Sequence, residues 1–204
     1  MNGRGRFITF EGIDGAGKST QIDFVAAWLR ARGIDAVVTR EPGGTEIGEA
    51  LRELVLRKPM SARTETLLVF AARAQHVEQV IAPALATGRW IVCDRFTDAT
   101  YAYQSGGRGV PEETIAALEH WVHPDLQPDL TFLFDIAPEI AAQRLSAARP
   151  ADRFEAEQLE FFVRVRAVYL ERARRFATRF VVLDGTQPAD MVRARLIEAL
   201  SRWC

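Results

Sequence analysis

The feature that most constrains this chain is a glycine-rich loop between a short apolar run and a helical pattern. Residues 7–10 read Phe-Ile-Thr-Phe, which is typical of a buried strand. Residues 12–19 then read Gly-Ile-Asp-Gly-Ala-Gly-Lys-Ser, which matches the phosphate-binding pattern of Gly, four residues, Gly-Lys and Ser or Thr. Because a strand precedes the loop and helical spacing follows it, a phosphate-binding loop (P-loop) is favoured over a chance glycine-rich turn.

The residue types of this loop suit a nucleoside triphosphate. Glycines let successive backbone N–H groups point inward around an anion, and the positive end of the following helix adds to the attraction. Lys18 places an ammonium against the β- and γ-phosphates, and the Ser19 hydroxyl is a ligand for Mg²⁺. The pattern predicts ATP or GTP but no particular reaction. The predicted nucleotide-binding residues are Gly12, Ile13, Asp14, Gly15, Ala16, Gly17, Lys18, Ser19 and Thr20.

Short apolar runs alternate with stretches of helical period along the rest of the chain. Strands are predicted at residues 7–10, 36–39, 90–93, 130–134 and 180–183. The clearest helices are predicted at residues 64–81, 112–122, 138–147, 157–175 and 189–203. Apolar strands separated by helices indicate a parallel sheet covered on both faces. We therefore predict the α/β class, as a three-layer P-loop NTPase-type fold with a five-stranded parallel sheet.

Length and charge narrow the class of protein further. The chain has 204 residues and a formal net charge of −1, from 26 basic and 27 acidic residues. At about 100–200 residues per domain, we expect a single domain over residues 1–204. The balanced charge argues against a nucleic-acid-coating protein, which needs a basic face. Since neither a membrane-spanning run nor a signal peptide is visible, we expect a cytoplasmic protein without a membrane partner.

Two arginines lie where a second anionic substrate would bind. Arg40 follows the second predicted strand and Arg95 the third, and ligands of parallel sheets bind at the carboxyl ends of the strands. A guanidinium at this edge can bind a phosphate through two parallel hydrogen bonds. For each of the two arginines, the alternative is an ion pair with a neighbouring carboxylate. Asp14, inside the P-loop, is explained if it accepts a hydrogen bond from a sugar hydroxyl; an exposed loop carboxylate is the alternative.

Five segments together resemble the bacterial thymidylate kinases. They are residues 10–20, 39–45, 70–76, 94–104 and 128–131, and the resemblance extends over essentially the whole chain. The P-loop alone is generic, but the combination of Arg-Glu-Pro-Gly-Gly-Thr, Asp-Arg-Phe-Thr and Tyr-Gln-Ser-Gly-Gly-Arg-Gly is specific. The resemblance implies a homodimeric enzyme with ATP, Mg²⁺ and dTMP as its ligands, which transfers a phosphoryl group from ATP to dTMP.

The resemblance also implies roles at the acceptor site. Arg95 would hold the acceptor phosphate with Arg40 nearby, and Asp14 would accept a hydrogen bond from the deoxyribose 3′-hydroxyl. Phe70 would stack on thymine. Arg73, three residues further along the same helix face, would hydrogen-bond the base.

Further implied contacts surround the base and the sugar. Thr100 and Gln104 would complete the edge of the base, and Tyr103 would crowd the 2′ position of the sugar and so disfavour ribonucleotides. Family members place the stacking aromatic either three or four residues before the arginine. Because Val69 occupies the other position here, the sequence leaves open whether Val69 or Phe70 faces the base.

A short lid is implied at about residues 147–153, between two predicted helices. Some family members carry an arginine within the P-loop, where this chain has Gly15. In members that resemble this chain, the catalytic arginines come from the lid. Arg149 and Arg153 are therefore the implied lid arginines, with solvated loop arginines as the alternative, and Arg144 on the preceding helix is a further candidate.

In addition to the two lid arginines, the implied catalytic residues are Lys18 and Arg95. The implied metal-binding residues are Ser19 and Asp94. Asp94 would orient Mg²⁺-bound water or brace Arg95, and the sequence does not separate these two roles.

Two competing functions share part of this pattern. Another nucleoside monophosphate kinase would keep the P-loop and lid and differ only in its base pocket. A P-loop switch ATPase would need no second phosphate site, which would leave Arg40 and Arg95 without a role.

The apolar face of residues 64–81 is the predicted surface if the protein dimerises. Trp121, on another predicted helix, is expected to serve in packing.

Overall fold

The architecture is a five-stranded parallel sheet flanked by helices. A computed structural model describes residues 4–146, 153–154 and 157–203. The strands lie in the order β2-β3-β1-β4-β5, and every neighbouring pair is parallel. Their bounds are β1 (Phe7–Glu11), β2 (Ala36–Arg40), β3 (Trp90–Asp94), β4 (Leu130–Asp135) and β5 (Phe180–Asp184). The predicted α/β class, the parallel sheet and the five predicted strands are confirmed.

Each strand continues one residue beyond its predicted end, and that extra residue is charged in every case. The five terminal residues are Glu11, Arg40, Asp94, Asp135 and Asp184. The prediction stopped at the last apolar residue, whereas the backbone pairing includes the first charged one. Because the strands are parallel, these side chains gather at one edge of the sheet, which we call the carboxyl edge.

Helices connect the strands over the described residues. Their bounds are α1 (Lys18–Arg30), α2 (Glu46–Arg57), α3 (Ala62–His76), α4 (Ala82–Ala86), α5 (Thr97–Thr100), α6 (Glu112–Val122), α7 (Pro138–Ser146), α8 (Leu159–Arg175) and α9 (Ala189–Leu200). α6 has its predicted bounds. α3 begins before the predicted residue 64 because Ser61 caps it, accepting a hydrogen bond from the Thr64 N–H at 3.2 Å.

The helix that begins at α3 is longer than the sequence predicts. After His76 it widens into a π-helical turn, Val77–Ile81, and continues as α4 through Pro83. Proline is tolerated there because it lies in the first turn of α4, after the backbone has already left the regular α-helical hydrogen-bond pattern. Gly88, with φ of +81°, follows the helix end, where glycine commonly terminates a helix.

A second helical region was not predicted at all. α5 continues into a π-helical segment, Tyr101–Gly107, which packs against α8. Its Thr, Tyr, Ser and Gly residues have weak helix propensity, so the sequence carries little local signal. The close packing needs Gly107, because a Cβ at this position would overlap the ring of Phe161.

The surface differs from expectation at Trp121. This side chain, expected to serve in packing, is 81% exposed on α6. On the neighbouring α3, Leu67 is 52% exposed, and both residues line one apolar groove. Over the described residues, no helix is both long enough and apolar enough to cross a membrane.

We predict that Gly107→Ala destabilises the fold. The added methyl must displace the buried ring of Phe161, and overpacking of this kind costs about 1–3 kcal/mol in the free energy of unfolding. Urea denaturation followed by circular dichroism measures this loss. Ser105→Ala, which adds no atoms in the same helical segment, is the control; equal stability of the two variants would contradict the packing account.

Candidate active site

The P-loop connects β1 to α1 at the carboxyl edge. Gly12, Gly15 and Gly17 all have positive φ, which side chains other than glycine rarely adopt. Gly12 is further constrained because a Cβ there would lie 2.5 Å from the carbonyl oxygen of Phe134. α1 begins at Lys18, so the positive end of this helix faces the loop. The predicted strand, loop and helix are therefore present in the required order.

Lys18 is the buried cation of this loop. Its ammonium donates hydrogen bonds to the carbonyl oxygens of Gly12 and Ile13, both at 3.1 Å. Burial, together with the positive charge of Arg95, lowers the pKa of Lys18. An anion bound in the loop would offset both effects, because it supplies the negative charge that this buried ammonium lacks.

A groove beside the P-loop brings together three of the predicted residues. Ser19, Arg40 and Asp94 all line it. The Asp94 Oδ1 atom is buried, and no residue in the described part of the chain donates a hydrogen bond to it. A carboxylate oxygen and a hydroxyl beside a phosphate-binding loop are suitable ligands for Mg²⁺. The residues present therefore fit a magnesium ion.

Arg95 lies at the carboxyl edge, directly after β3 and next to the P-loop. Its backbone has φ of +68°, a left-handed conformation that is unfavourable for arginine and is often found at functional sites. Its guanidinium donates to Asp14 Oδ1 at 2.9 Å, to the Tyr103 hydroxyl at 3.1 Å and to the Tyr169 hydroxyl at 2.9 Å. The Tyr103 hydroxyl donates in turn to Asp14 Oδ2 at 3.1 Å. The structure therefore brings together the three predicted residues Asp14, Arg95 and Tyr103.

The charges of this cluster stabilise the ionised form of Asp14. Burial alone would raise the pKa of Asp14, but the charges of Arg95 and Lys18 and two donated hydrogen bonds reverse the effect and lower it. Asp14 is thus a carboxylate at neutral pH. A carboxylate accepts hydrogen bonds from hydroxyl groups, as the predicted contact with a sugar requires.

A second layer of residues supports Arg95 from behind. The Tyr169 hydroxyl donates to Glu11 Oε2 at 2.8 Å, and the Phe96 N–H donates to Glu11 Oε1 at 2.7 Å. Burial, reinforced by the charge of Asp98, raises the pKa of Glu11 to about 8. The sequence analysis missed both Glu11 and Tyr169, although the position of Glu11 at the end of β1 pointed to the carboxyl edge.

Arg40 and Arg52 add positive charge to the same region. Arg40 forms an ion pair with Glu49 at 2.8 Å, so the alternative considered for Arg40 is realised in this structure. Arg52, which the sequence analysis missed, donates to the Pro42 carbonyl at 2.9 Å. Together with Asp14 and Arg95, it also lines a cavity that we call the central cavity. Burial and the charges of Arg40 and Arg95 lower the pKa of Arg52. Positive charges packed this closely favour the binding of an anion between them.

The central cavity extends from Asp14 and Arg95 to a buried polar end formed around Arg73. Arg73 donates through Nε to Glu41 at 2.7 Å and through Nη2 to Thr100 Oγ1 at 2.9 Å. Its Nη1 atom is buried without a hydrogen-bond partner among the described residues. Gln104 lines the same cavity and donates to the buried Glu65 at 2.8 Å. Arg73 thus lines the cavity with a guanidinium whose Nη1 atom is bonded to none of the described residues.

Glu41 holds Arg73 in this position. The Nδ1 atom of His76 lies 2.9 Å from the second oxygen of Glu41, and the Nε2 atom of His76 lies 2.7 Å from Thr39 Oγ1. Burial alone would raise the pKa of Glu41, but Arg73 and His76 reverse this effect and lower it. The buried guanidinium is thus fixed by described residues at two of its nitrogen atoms, Nε and Nη2.

The structure settles which α3 residue lines the cavity. Val69 lines it, whereas Phe70 packs with Tyr101 and Ile115 and borders the apolar groove that contains Trp121. Phe70 therefore does not line the cavity in this structure, and its stacking role stays a prediction. At 3.6 residues per turn, residues four apart are offset by about 40° around the helix axis and residues three apart by about 60°, so Val69 lies closer than Phe70 to the face of Arg73.

Of the two predicted lid arginines, only Arg153 is among the described residues. Arg149 lies outside the described residues. Arg153 pairs with Glu65 and donates to the Val55 carbonyl at 3.0 Å, beside the polar end of the cavity. Arg144, by contrast, donates to the Gly185 carbonyl at 2.9 Å, and a Cβ at Gly185 would lie 3.3 Å from the carbonyl oxygen of Ala16 in the P-loop.

Comparison with known proteins gives a consistent result. The sequence model of the family described as thymidylate kinase matches residues 10–196. The chain is 58% identical to a thymidylate kinase of Methylobacillus flagellatus, covering 97% of both chains. It is also 58% identical to a thymidylate kinase of Bordetella pertussis, over 96% of this chain and 94% of that protein. The chain belongs to the thymidylate kinase family.

The fold comparison agrees with this assignment to the thymidylate kinase family. The crystal structure of a thymidylate kinase from Ehrlichia chaffeensis superposes with a TM-score of 0.79 at 32% sequence identity, covering 97% of this chain and 99% of that one. The predicted resemblance is confirmed, as is the three-layer P-loop fold. Within this thymidylate kinase fold, the cavity described above extends from Arg95 beside the P-loop to the buried Arg73.

We predict that Glu11 makes the stability of this thymidylate kinase-family protein decrease with rising pH. A carboxyl group whose pKa is raised to about 8 on folding stabilises the fold at low pH and loses this contribution as pH rises through that value. Urea denaturation from about pH 5 to pH 9 is expected to show this decrease, and Glu11→Gln should reduce it. The control is Glu53→Gln on the exposed face of α2. Parallel pH profiles for Glu11→Gln and the parent protein would contradict the prediction.

Proposed function

We propose that this protein transfers the γ-phosphoryl group of ATP to the 5′-phosphate of dTMP, giving ADP and dTDP for dTTP biosynthesis. The observation that carries the proposal is a cavity that joins Asp14 and Arg95, beside the P-loop, to Arg73, whose Nη1 atom has no hydrogen-bond partner among the described residues. A thymine mononucleotide has two matching ends, a phosphate and a base edge with carbonyl acceptors. Membership of the thymidylate kinase family supports dTMP as the acceptor.

The proposed reaction needs alignment and charge more than a general base. The acceptor oxygen of dTMP is already ionised at neutral pH, so no residue must remove a proton from it. Lys18 would hold the β- and γ-phosphates of ATP, and Arg95 the phosphate of dTMP. Both cations would offset the charge that spreads over the transferring group.

Ser19 and Asp94 are the residues that would hold Mg²⁺. The metal, when bound, neutralises phosphate charge and orients the β- and γ-phosphates. Asp94 is suited to this role because its Oδ1 atom is buried without a donor in the described part of the chain. Its position directly before Arg95 also supports the bracing role, and the proposal includes both.

The base and sugar would be recognised by groups that already line the cavity. Arg73 would donate to a thymine carbonyl, with Thr100 and Gln104 along the edge of the base. Asp14 would accept from the 3′-hydroxyl. Tyr103 would leave no room for a 2′-hydroxyl, because its own hydroxyl group bonds both Asp14 and Arg95.

The roles of the lid arginines stay predictions based on the resemblance. Arg149 and Arg153 would neutralise charge on the transferring phosphoryl group, with the lid at about residues 147–153. In the structure, Arg153 pairs with Glu65 beside the polar end of the cavity. Arg144 is closer to the P-loop through its contact with Gly185.

We predict that dTMP strongly stimulates release of ADP from MgATP, that dUMP does so weakly, and that AMP, GMP and CMP do not. The reason is that the base end of the cavity distinguishes the bases, and Tyr103 disfavours the 2′-hydroxyl group that AMP, GMP and CMP carry. A coupled assay for ADP with each monophosphate in turn makes the measurement. Stimulation by a different monophosphate would favour another nucleoside monophosphate kinase, and slow ADP release that ignores every acceptor would favour a P-loop switch ATPase.

We also propose a cytoplasmic homodimer that has no nucleic-acid or membrane partner. Leu67 and Trp121 are exposed in one apolar groove between α3 and α6, on the helix face predicted for dimerisation. A second copy of the chain, placed against this groove, would remove both side chains from water.

We predict that sedimentation velocity gives twice the chain mass of 22.8 kDa. The variant with Leu67→Glu and Trp121→Glu should sediment as a monomer, because it places two carboxylates in the apolar groove. Met191→Glu, which changes an exposed apolar residue on α9, is the matched control. A concentration-independent monomer for the parent protein would exclude the dimer.

A further inference from the structure

The base end of the cavity lacks an aromatic residue from α3. Val69 is the α3 side chain that lines the cavity beside Arg73, and Phe70 faces the separate apolar groove. An aliphatic side chain offers a pyrimidine ring much less contact area than an aromatic face does. The stacking surface for a flat base must therefore come from another element, or the site must do without one.

Phe154 supplies an aromatic ring at this place. It lines the same cavity together with Val55, Leu56 and Val69, and it is 8% exposed. Its ring centre lies 5.6 Å from that of Tyr103, with the two planes at 83°. Since Tyr103 reaches Asp14 and Arg95 through its hydroxyl group, Phe154 adjoins the residue that links the base end of the cavity to the phosphate end.

Arg153, the residue before Phe154, fixes the position of Phe154 through hydrogen bonds and an ion pair. The Arg153 N–H donates to the Leu56 carbonyl at 3.3 Å, and Arg153 Nε donates to the Val55 carbonyl at 3.0 Å. The Arg153 guanidinium also pairs with the fully buried Glu65 and lies 4.7 Å from the centre of the Phe154 ring. Glu65 accepts a hydrogen bond from Gln104, which lines the cavity. The ring is therefore attached to α2 and α3, the two helices that border the base.

We propose that Phe154 is the aromatic residue that stacks on the pyrimidine base of the acceptor, in the place where α3 presents Val69. The inference rests on the proposed function and assigns one more residue to its acceptor site. A ring stacked on the base strengthens binding of the acceptor and leaves the ATP site unchanged. It also favours a flat pyrimidine over any ligand that offers only a sugar phosphate.

The test compares Phe154→Leu with the parent protein for dTMP and for ATP. Loss of an aromatic contact is expected to raise KM and the calorimetric Kd for dTMP about three- to tenfold, with kcat and the KM for ATP within about twofold of the parent values. Phe154→Tyr keeps the ring and should bind dTMP as the parent does. Phe24→Leu, a half-buried phenylalanine on α1 that contacts Arg193, is the matched control and should leave both KM values unchanged.

A rescue variant tests the stacking role more directly. In Phe154→Leu combined with Val69→Phe, an aromatic ring enters the cavity from α3, and most of the lost affinity for dTMP should return. Circular dichroism and Tm establish that each variant is folded. If Phe154→Leu is not folded, Phe154→Met replaces it, because methionine nearly preserves the side-chain volume and has no ring. The same rise in KM and Kd for dTMP is expected for this variant.

Three results would overturn the proposal. They are an unchanged KM for dTMP in a folded Phe154→Leu, an equal rise in the KM for dTMP and for ATP, and a failure of Val69→Phe to restore binding in a folded double variant. The proposed function fails separately, if the parent protein does not convert dTMP at all. If the parent protein converts dTMP and Phe154→Leu has the same KM for dTMP, the proposed function is supported and only the role of Phe154 is refuted.

Discussion

The interaction on which the rest of the site depends is the ion pair between Asp14 and Arg95. It joins the loop after β1 to the residue that follows β3, two strands that are neighbours in the sheet. Tyr103, in the π-helical segment after α5, and Tyr169, in α8, both accept hydrogen bonds from Arg95 and complete the cluster. Because Arg95 adopts an unfavourable backbone conformation, the surrounding bonds must hold it in place. The P-loop and the acceptor pocket are thereby connected as one structure.

Much of the fold and the phosphate end of the site could be predicted from the sequence. The apolar runs gave the five strands, because a strand buried on both faces has a continuous apolar signal. The glycines and Lys18 gave the P-loop, since its chemistry depends on consecutive residues. Arg95 and Asp14 could be placed at the carboxyl edge because the ends of parallel strands meet there.

The base end could be predicted less well, for physical reasons that differ from residue to residue. Choosing between Val69 and Phe70 requires the rotation of α3 about its axis, which tertiary packing decides. The π-helical segment that carries Tyr103 and Gln104 has residues of low helix propensity, so its shape also depends on packing. Phe154 reaches the cavity only because Arg153 bonds to two carbonyl groups of α2, and no local pattern encodes such a contact.

The pairing of Asp14 with Arg95 has a consequence for how a ligand is sensed. In the structure each group occupies the binding capacity of the other. Under the proposed roles, a phosphate bound to Arg95 would free Asp14 for a sugar hydroxyl group, and the two halves of a nucleotide would bind cooperatively through an exchange of partners. A nucleoside without phosphate, or a phosphate without sugar, would complete only half of this exchange. The site would therefore discriminate whole nucleotides from their fragments.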